Sequence, residues 1–234
     1  APPRKKFTPD RKLRIWVAGD SLVIVPGQSL LRAIGGSPVM EPVGEVDGRV
    51  ASGLERPDSF NWFKEIEKRM RKDRPGAVVL MFGANDDHGF MTGLPPGREI
   101  EGGFASESWT AEYRRRVGGI MDTVTRAGGY LVWVGLPITN DPAQTARFDT
   151  INSILVTEAE KRRGRVSYLD TYFFFAGPDG GYAEYVANAR GSLVKMRSDD
   201  GVHFEREAGD LIARQVLKRL HQRFDLTSWR RESR

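Results

Sequence analysis

The sequence predicts an α/β protein, a three-layer α/β/α sandwich around a central, mainly parallel sheet of five strands. Three observations carry that expectation. Segments with strand and helix patterning alternate through the whole chain, the order that builds a parallel sheet with helices on both faces. Ala77-Val78-Val79-Leu80-Met81-Phe82 is an unbroken apolar run between Pro75-Gly76 and Gly83, which suits a strand covered on both sides. Trp62, Ile66 and Met70 recur every four residues, the mark of a helix with one apolar stripe.

The elements follow in order. Leu13, Ile15 and Val17 alternate with Arg14 and Trp16 and stop at Ala18-Gly19, a first strand. Gly27 to Ile34 reads as a short helix ended by Gly35-Gly36. A second, short strand is expected within 39–50, and an amphipathic helix over 59–72. The apolar run at 77–82 is the third strand, followed by a loop over 87–108. A helix over 109–127 carries Val117, Ile120, Met121 and Val124 on one face. Tyr130 to Leu136 is the next strand, stopped by Pro137. A helix over 146–163 and a strand at Val166–Leu169 come next. Residues 182–197 suit a hairpin turning between Asn188 and Gly191. Leu211, Ile212, Val216 and Leu220 mark a C-terminal helix.

Length and composition bound the function. The chain has 234 residues, of which 39% are hydrophobic and 29% charged, ordinary for a globular domain with a sizeable core. One domain is expected over 12–224, between an N-terminal tail at 1–11 and a basic C-terminal tail at 225–234. No stretch approaches the ~18 apolar residues that would span a bilayer. There is no cysteine, which excludes disulfides, thiolate catalysis and cysteine-held zinc but fixes no compartment. The net charge is +5, with much of the excess at the ends: Arg4, Lys5, Lys6, Arg11, Lys12 and Arg14, then Arg230, Arg231 and Arg234. Such ends are commonly solvated tails. They could also touch an anionic envelope surface. No nucleic-acid recognition motif accompanies the charge.

Three short blocks could carry chemistry. The first strand runs into Gly19-Asp20-Ser21-Leu22. A small residue before a serine at a strand-to-helix turn lets the chain bend sharply and exposes the hydroxyl. The serine N–H then lies at a helix start and can donate to an anion. An ordinary turn and N-cap would look the same. The third strand ends in Gly83-Ala84-Asn85-Asp86, where an asparagine amide could point at a developing oxyanion, or simply close a turn. Near the C-terminus stands Asp200-Gly201-Val202-His203. A carboxylate three residues before a histidine can hold its Nδ1–H and leave Nε2 free to take a proton from a hydroxyl. The chain has only three histidines.

In order and spacing these blocks resemble the SGNH/GDSL hydrolase superfamily, over roughly residues 12–222. The resemblance implies a flavodoxin-like fold of the kind predicted above. It implies a serine esterase or acyltransferase with Ser21 as nucleophile, His203 as base and Asp200 as its orienting acid. It also implies an oxyanion hole from the Ser21 N–H, the Asn85 side chain and a glycine N–H. Gly53, in Ala51-Ser52-Gly53-Leu54, is the best match for that glycine, with Gly48 as competitor. No cofactor and no metal is implied. Ser52-Gly53-Leu54-Glu55-Arg56-Pro57-Asp58 and Trp62 are similar to a bacterial, periplasmic or otherwise extracytoplasmic branch of unassigned function. That likeness points towards O-acyl esters of cell-envelope carbohydrate. An O-acyltransferase using the same triad is the alternative among enzymes. A non-catalytic glycan-binding module on the same fold is the alternative outside them.

Asp20, Asp86, His88 and Trp109 stand close enough to these blocks to be candidates for touching substrate. Trp109 and Tyr113, one helical turn apart, could stack on a sugar or merely pack. The loop over 87–108 leaves directly from the Asn85 block, so it must border the cleft. Its Phe90, Met91, Leu94 and Phe104 could close over an acyl chain or sugar.

Overall fold

The computed structural model describes residues 4–188 and 190–232. Of the expected tails, residues 1–3 and 233–234 lie outside the described residues, as does Ala189 of the expected hairpin turn. Its strands in chain order are β1 (Lys5–Lys6), β2 (Leu13–Gly19), β3 (Met40–Pro42), β4 (Asp47–Gly48), β5 (Ala77–Met81), β6 (Tyr130–Val134), β7 (Val166–Leu169), β8 (Tyr185–Ala187), β9 (Leu193–Lys195) and β10 (Phe224–Asp225). Its helices are α1 (Ile24–Gly35), α2 (Trp62–Lys72), α3 (Glu107–Arg126), α4 (Pro142–Glu160), α5 (Arg206–Arg223) and α6 (Trp229–Glu232).

The central sheet runs in the order β3-β2-β5-β6-β7, and every pairing in it is parallel. β4 also pairs with β2, opposite Ala18 and Gly19, while β3 lies opposite Leu13 to Ile15. The five expected strand positions are therefore present, with the outer one split into two short pieces. Every residue of β5 and β6 is buried, as expected of a sheet covered on both faces. α1 packs on α5, while α2, α3 and α4 pack side by side. Those two groups are the outer layers. Trp62 of α2 and Trp133 of β6 meet Phe82 edge-on, with ring centroids 4.8 and 5.9 Å apart. Among the described residues no helix is long and apolar enough to cross a membrane.

Helix starts are where the sequence expectation differs most. α4 begins at Pro142, four residues before the expected start, because Asp141 caps it by accepting the Ala143 N–H at 2.8 Å. Proline is at home in a first turn, where its missing N–H has no partner to lose. α3 begins at Glu107, with the Ser106 hydroxyl accepting the Trp109 N–H. α1 begins at Ile24, ahead of Gly27, and α5 at Arg206, ahead of Leu211. The described parts of the two ends are not free tails. β1 pairs in parallel with β10. Phe7 is buried and meets Phe224 edge-on at 5.4 Å.

The approach of β2 to β5 is closest where it matters for the site. Gly19 lies opposite Met81, and a Cβ on Gly19 would stand 2.1 Å from the Met81 carbonyl oxygen. That oxygen also accepts the Asp20 N–H. A methyl group there wedges two central strands apart, and neither backbone can yield. Gly19→Ala is expected to lower the unfolding free energy by about 3 kcal/mol, the upper part of the range for overpacking. Urea unfolding of the two proteins measures it, and an unchanged midpoint would contradict the close approach.

Candidate active site

The loops leaving the C-terminal ends of the parallel strands converge, as they do in open α/β sheets. After β2, Asp20 caps a short 3-10 turn over Ser21–Val23 by accepting the Leu22 N–H at 2.9 Å. Its second oxygen accepts the N–H groups of Gly83 and Ala84, each at 3.0 Å. One buried carboxylate thus fixes both the turn that presents Ser21 and the loop that carries Asn85. Burial pushes Asp20 up to about 7, against the Leu22, Ala84 and Gly83 amides and with the Asp86 charge adding to the rise.

Ser21 is half-buried. Its Oγ lies 2.8 Å from His203 Nε2, across 182 residues of sequence. His203 Nδ1 lies 2.6 Å from Asp200 Oδ2. The other Asp200 oxygen accepts the N–H groups of Val202 and His203 at 2.8 and 2.9 Å. Partial burial pushes Asp200 up, but those amides and the imidazole outweigh it and hold the acid at about 2. Asp200 is therefore anionic near neutrality, and an imidazole between it and a hydroxyl is arranged to take up a proton. The turn needs glycine at 201, where φ is +70° and a Cβ would stand 2.0 Å from the Asn140 side chain.

Asn85 donates one amide hydrogen from Nδ2 to the Ser52 carbonyl at 2.9 Å, which leaves its second for another acceptor. That carbonyl belongs to the same peptide unit as the Gly53 N–H, so the two donor groups are positioned together. Gly53 is buried, and a Cβ there would stand 2.1 Å from Asp86 Oδ1. Gly48, by contrast, lies in β4 opposite Gly19 and against Ile24, where a Cβ would be 2.6 Å from Cγ1.

Three of the residues expected to touch substrate are shut away from solvent. Asp20, Asp86 and Trp109 are fully buried. Asp86 accepts the amides of Leu54 and Glu55 at 2.8 to 2.9 Å and the Tyr113 hydroxyl at 2.8 Å. Burial pushes it up to about 6, against the Glu55 and Leu54 amides and with the Glu55 charge adding. Trp109 stacks on Tyr113 at 4.7 Å and donates Nε1–H to Glu55 at 2.5 Å. Packing, not sugar stacking, accounts for both rings. Only His88 presents an exposed ring. Its Nδ1 and its backbone N–H both reach Glu55 Oε2, at 3.1 and 3.0 Å.

Two buried charges belong to this region: Glu55, which entered the sequence reading only as part of the Ser52 to Asp58 stretch, and Arg116, which did not enter it. Glu55 is completely buried under His88 and Trp109. Arg116 is buried too, and donates to the carbonyls of Leu54, Glu55 and Thr92 at 2.6, 3.2 and 2.7 Å. Together they pin the first part of the loop after Asn85, because Thr92 N–H also donates to the Glu55 carbonyl at 2.9 Å. Met91 is buried, and Leu94 and Phe104 pack against the core. Of the four apolar residues expected to close over a ligand, only Phe90 is exposed.

Similarity to known proteins bears on the fold. No curated protein matches the sequence. Solved structures match the fold at low identity. A GDSL-like lipase from Bacteroides thetaiotaomicron is 12% identical, with a TM-score of 0.56 over 91% of this chain and 90% of that one. A putative lipolytic protein of the G-D-S-L family from Desulfitobacterium hafniense is 12% identical, with a TM-score of 0.58 over 88% and 99%. A catalytic mutant of an acetylxylan esterase from Geobacillus stearothermophilus is 14% identical, with a TM-score of 0.54 over 91% and 95%. The fold is that of the SGNH/GDSL hydrolases. A family model matches residues 14–219, nearly the whole domain, and the chain belongs to that family, described as Protein of unknown function (DUF459).

Proposed function

We propose that this protein is a serine esterase working through an acyl-enzyme, with Ser21, His203 and Asp200 as its triad. The observation that carries the reading is the His203 ring, held between Ser21 Oγ at 2.8 Å and Asp200 Oδ2 at 2.6 Å. His203 Nε2 takes the hydroxyl proton as Ser21 Oγ attacks the ester carbonyl. Asp200 balances the imidazolium that forms. The oxyanion meets the Ser21 N–H, the Gly53 N–H and the free Asn85 amide hydrogen. The tetrahedral intermediate expels the alcohol, which leaves with the proton from His203. Water, deprotonated by His203, then attacks the acyl-enzyme. The acid is released and Ser21 recovers its proton.

Gly53 is preferred over Gly48 because the Asn85–Ser52 hydrogen bond ties its peptide to the second donor. Gly48 is taken up in pairing and packing. As substrate we assign an O-acyl ester, of acetyl type, on cell-envelope carbohydrate, which goes with an extracytoplasmic location. The likeness of the Ser52 to Asp58 stretch supports this, and one protein of the same fold is named as an acetylxylan esterase. His88, exposed beside the Asn85 loop, is the candidate left to touch the alcohol part.

A fluorophosphonate probe followed by peptide mapping tests the nucleophile without knowing the substrate. Label on Ser21 is expected, and its absence from an intact protein sinks the mechanism. Against a simple aryl acetate, Ser21→Ala and His203→Ala should each lose on the order of 10³-fold or more in turnover while keeping the native circular dichroism spectrum.

The oxyanion role makes a separate demand. Asn85→Ala is expected to lower kcat by about 10²- to 10³-fold with little change in KM, since the amide is needed most when charge develops. Steady-state kinetics on the same ester decide it. A rise in KM alone would make Asn85 a substrate anchor instead.

A further inference from the structure

Arg197 is completely buried, and among the described residues no carboxylate lies within ion-pair distance of it. Its guanidinium spends its donors on backbone carbonyls instead. Nη1 donates to Ile138 at 2.6 Å. Nη2 donates to Gly201 at 3.0 Å and to Val202 at 2.6 Å. Nε reaches the His203 carbonyl at 3.3 Å. Three of these four carbonyls belong to the turn between Asp200 and His203. The fourth lies in the loop after β6. The rings of Phe175, Tyr182 and Phe204 surround the cation, with centroids 5.1 to 5.6 Å from its central carbon.

A buried charge without a carboxylate partner is expensive, and here desolvation lowers the guanidinium to about 10, with Tyr182 and Asp200 opposing the fall. Its planar fork of donors is what the site uses, since four carbonyls in fixed directions cannot be served by an ammonium. The backbone around it explains why position matters. Ser198 N–H donates to the His203 carbonyl at 3.0 Å, and Glu205 N–H to Met196 at 2.9 Å. The chain leaving β9 is thus laced to the chain that follows His203, with Arg197 at the centre of the lacing.

We propose that Arg197 is a positioning residue for the base: by gathering the Gly201, Val202 and His203 carbonyls it holds the His203 ring in line between Asp200 and Ser21. This rests on the serine-esterase reading above. The guanidinium touches neither substrate nor reacting atoms. It acts through the orientation of one imidazole.

The test compares the wild-type chain with Arg197→Lys, which keeps the charge and loses the fork, and with Tyr182→Leu, which strips one ring from the cation and so loosens the seat that aims its hydrogen bonds. Three things are measured: urea unfolding, fluorophosphonate labelling and aryl-acetate kinetics, and the far-downfield proton resonance of His203 Nδ1. Folded Arg197→Lys should label and turn over on the order of 10²-fold more slowly, the size of effect a small misplacement produces, with KM nearly unchanged and the resonance lost. Tyr182→Leu should show about a tenth of that loss with the same split between kcat and KM. It decides the question alone if Arg197→Lys does not fold. A folded variant that labels at the wild-type rate with the resonance intact overturns the proposal, however far its stability has dropped. If wild-type Ser21 takes no label, the serine mechanism is what fails, and the resonance still reports whether Arg197 holds the ring.

Discussion

Asp20 places a carboxylate between the ends of two adjacent parallel strands, and its two oxygens take amides from both sides. Parallel strands pair with each other only as far as they run straight. Once the chain turns out of the sheet, its N–H and C=O groups lose those partners and must find others if they stay buried. Asp20 receives Leu22 from one turn and Gly83 and Ala84 from the next. The serine turn and the asparagine loop therefore cannot move independently. Gly19 makes this possible by letting β2 come close enough to β5 for one short side chain to bridge them.

The same solution is repeated around the site, with the sign of the charge matched to the backbone groups left over. Asp86 collects the amides of Leu54 and Glu55. Arg116 collects the carbonyls of that same Leu54-Glu55 stretch. Arg197 collects the carbonyls of the Asp200 to His203 turn. A charged group forms stronger hydrogen bonds than a neutral one, and a carboxylate or guanidinium can serve several partners in fixed directions. Loops that would otherwise be soft are thereby made rigid, which is what a preorganised oxyanion site requires.

The sequence made the alternation of strand and helix legible, along with the apolar strands and the three blocks that meet at the site, because those features are local. Glycine before serine at a strand end, or aspartate three residues before histidine, means something over a few residues. Glu55, Arg116 and Arg197 were not legible, for a physical reason. Arg197 binds backbone carbonyls, which have no identity in a sequence. Arg116 adds such carbonyls to an ordinary pairing with Glu112. The His88 and Trp109 side chains that meet Glu55 lie 33 and 54 residues away, so each of the three looks like a surface charge until the fold encloses it. Trp109 failed in the opposite direction. Its position one turn from Tyr113 fits a sugar platform or a core, and its complete burial, with Nε1–H on the buried Glu55, distinguishes the two. Pro142 hid the start of α4 because a proline interrupts a pattern even where it is welcome in the first turn.

Burial also separates the carboxylates by task. Asp20 and Asp86 are each fed by backbone amides, as Asp200 is, yet they are driven up to about 7 and about 6 while Asp200 is held at about 2. The backbone hydrogen bonds are comparable, so the difference lies first in water and then in the neighbours, an imidazole beside Asp200 and a second carboxylate near each of the others. Asp20 and Asp86 are sealed inside, whereas the Asp200 side chain is half exposed. In the proposed mechanism Asp200 must be charged when the imidazolium forms, and a place at the rim keeps it so. The two inner carboxylates need only accept, from partners that never leave. A proton on either would remove part of that acceptance, so their geometry is sensitive to acid in a way that Asp200 is not. The protein thus keeps the acid that must stay charged in contact with solvent, and keeps in the interior those that only hold the backbone.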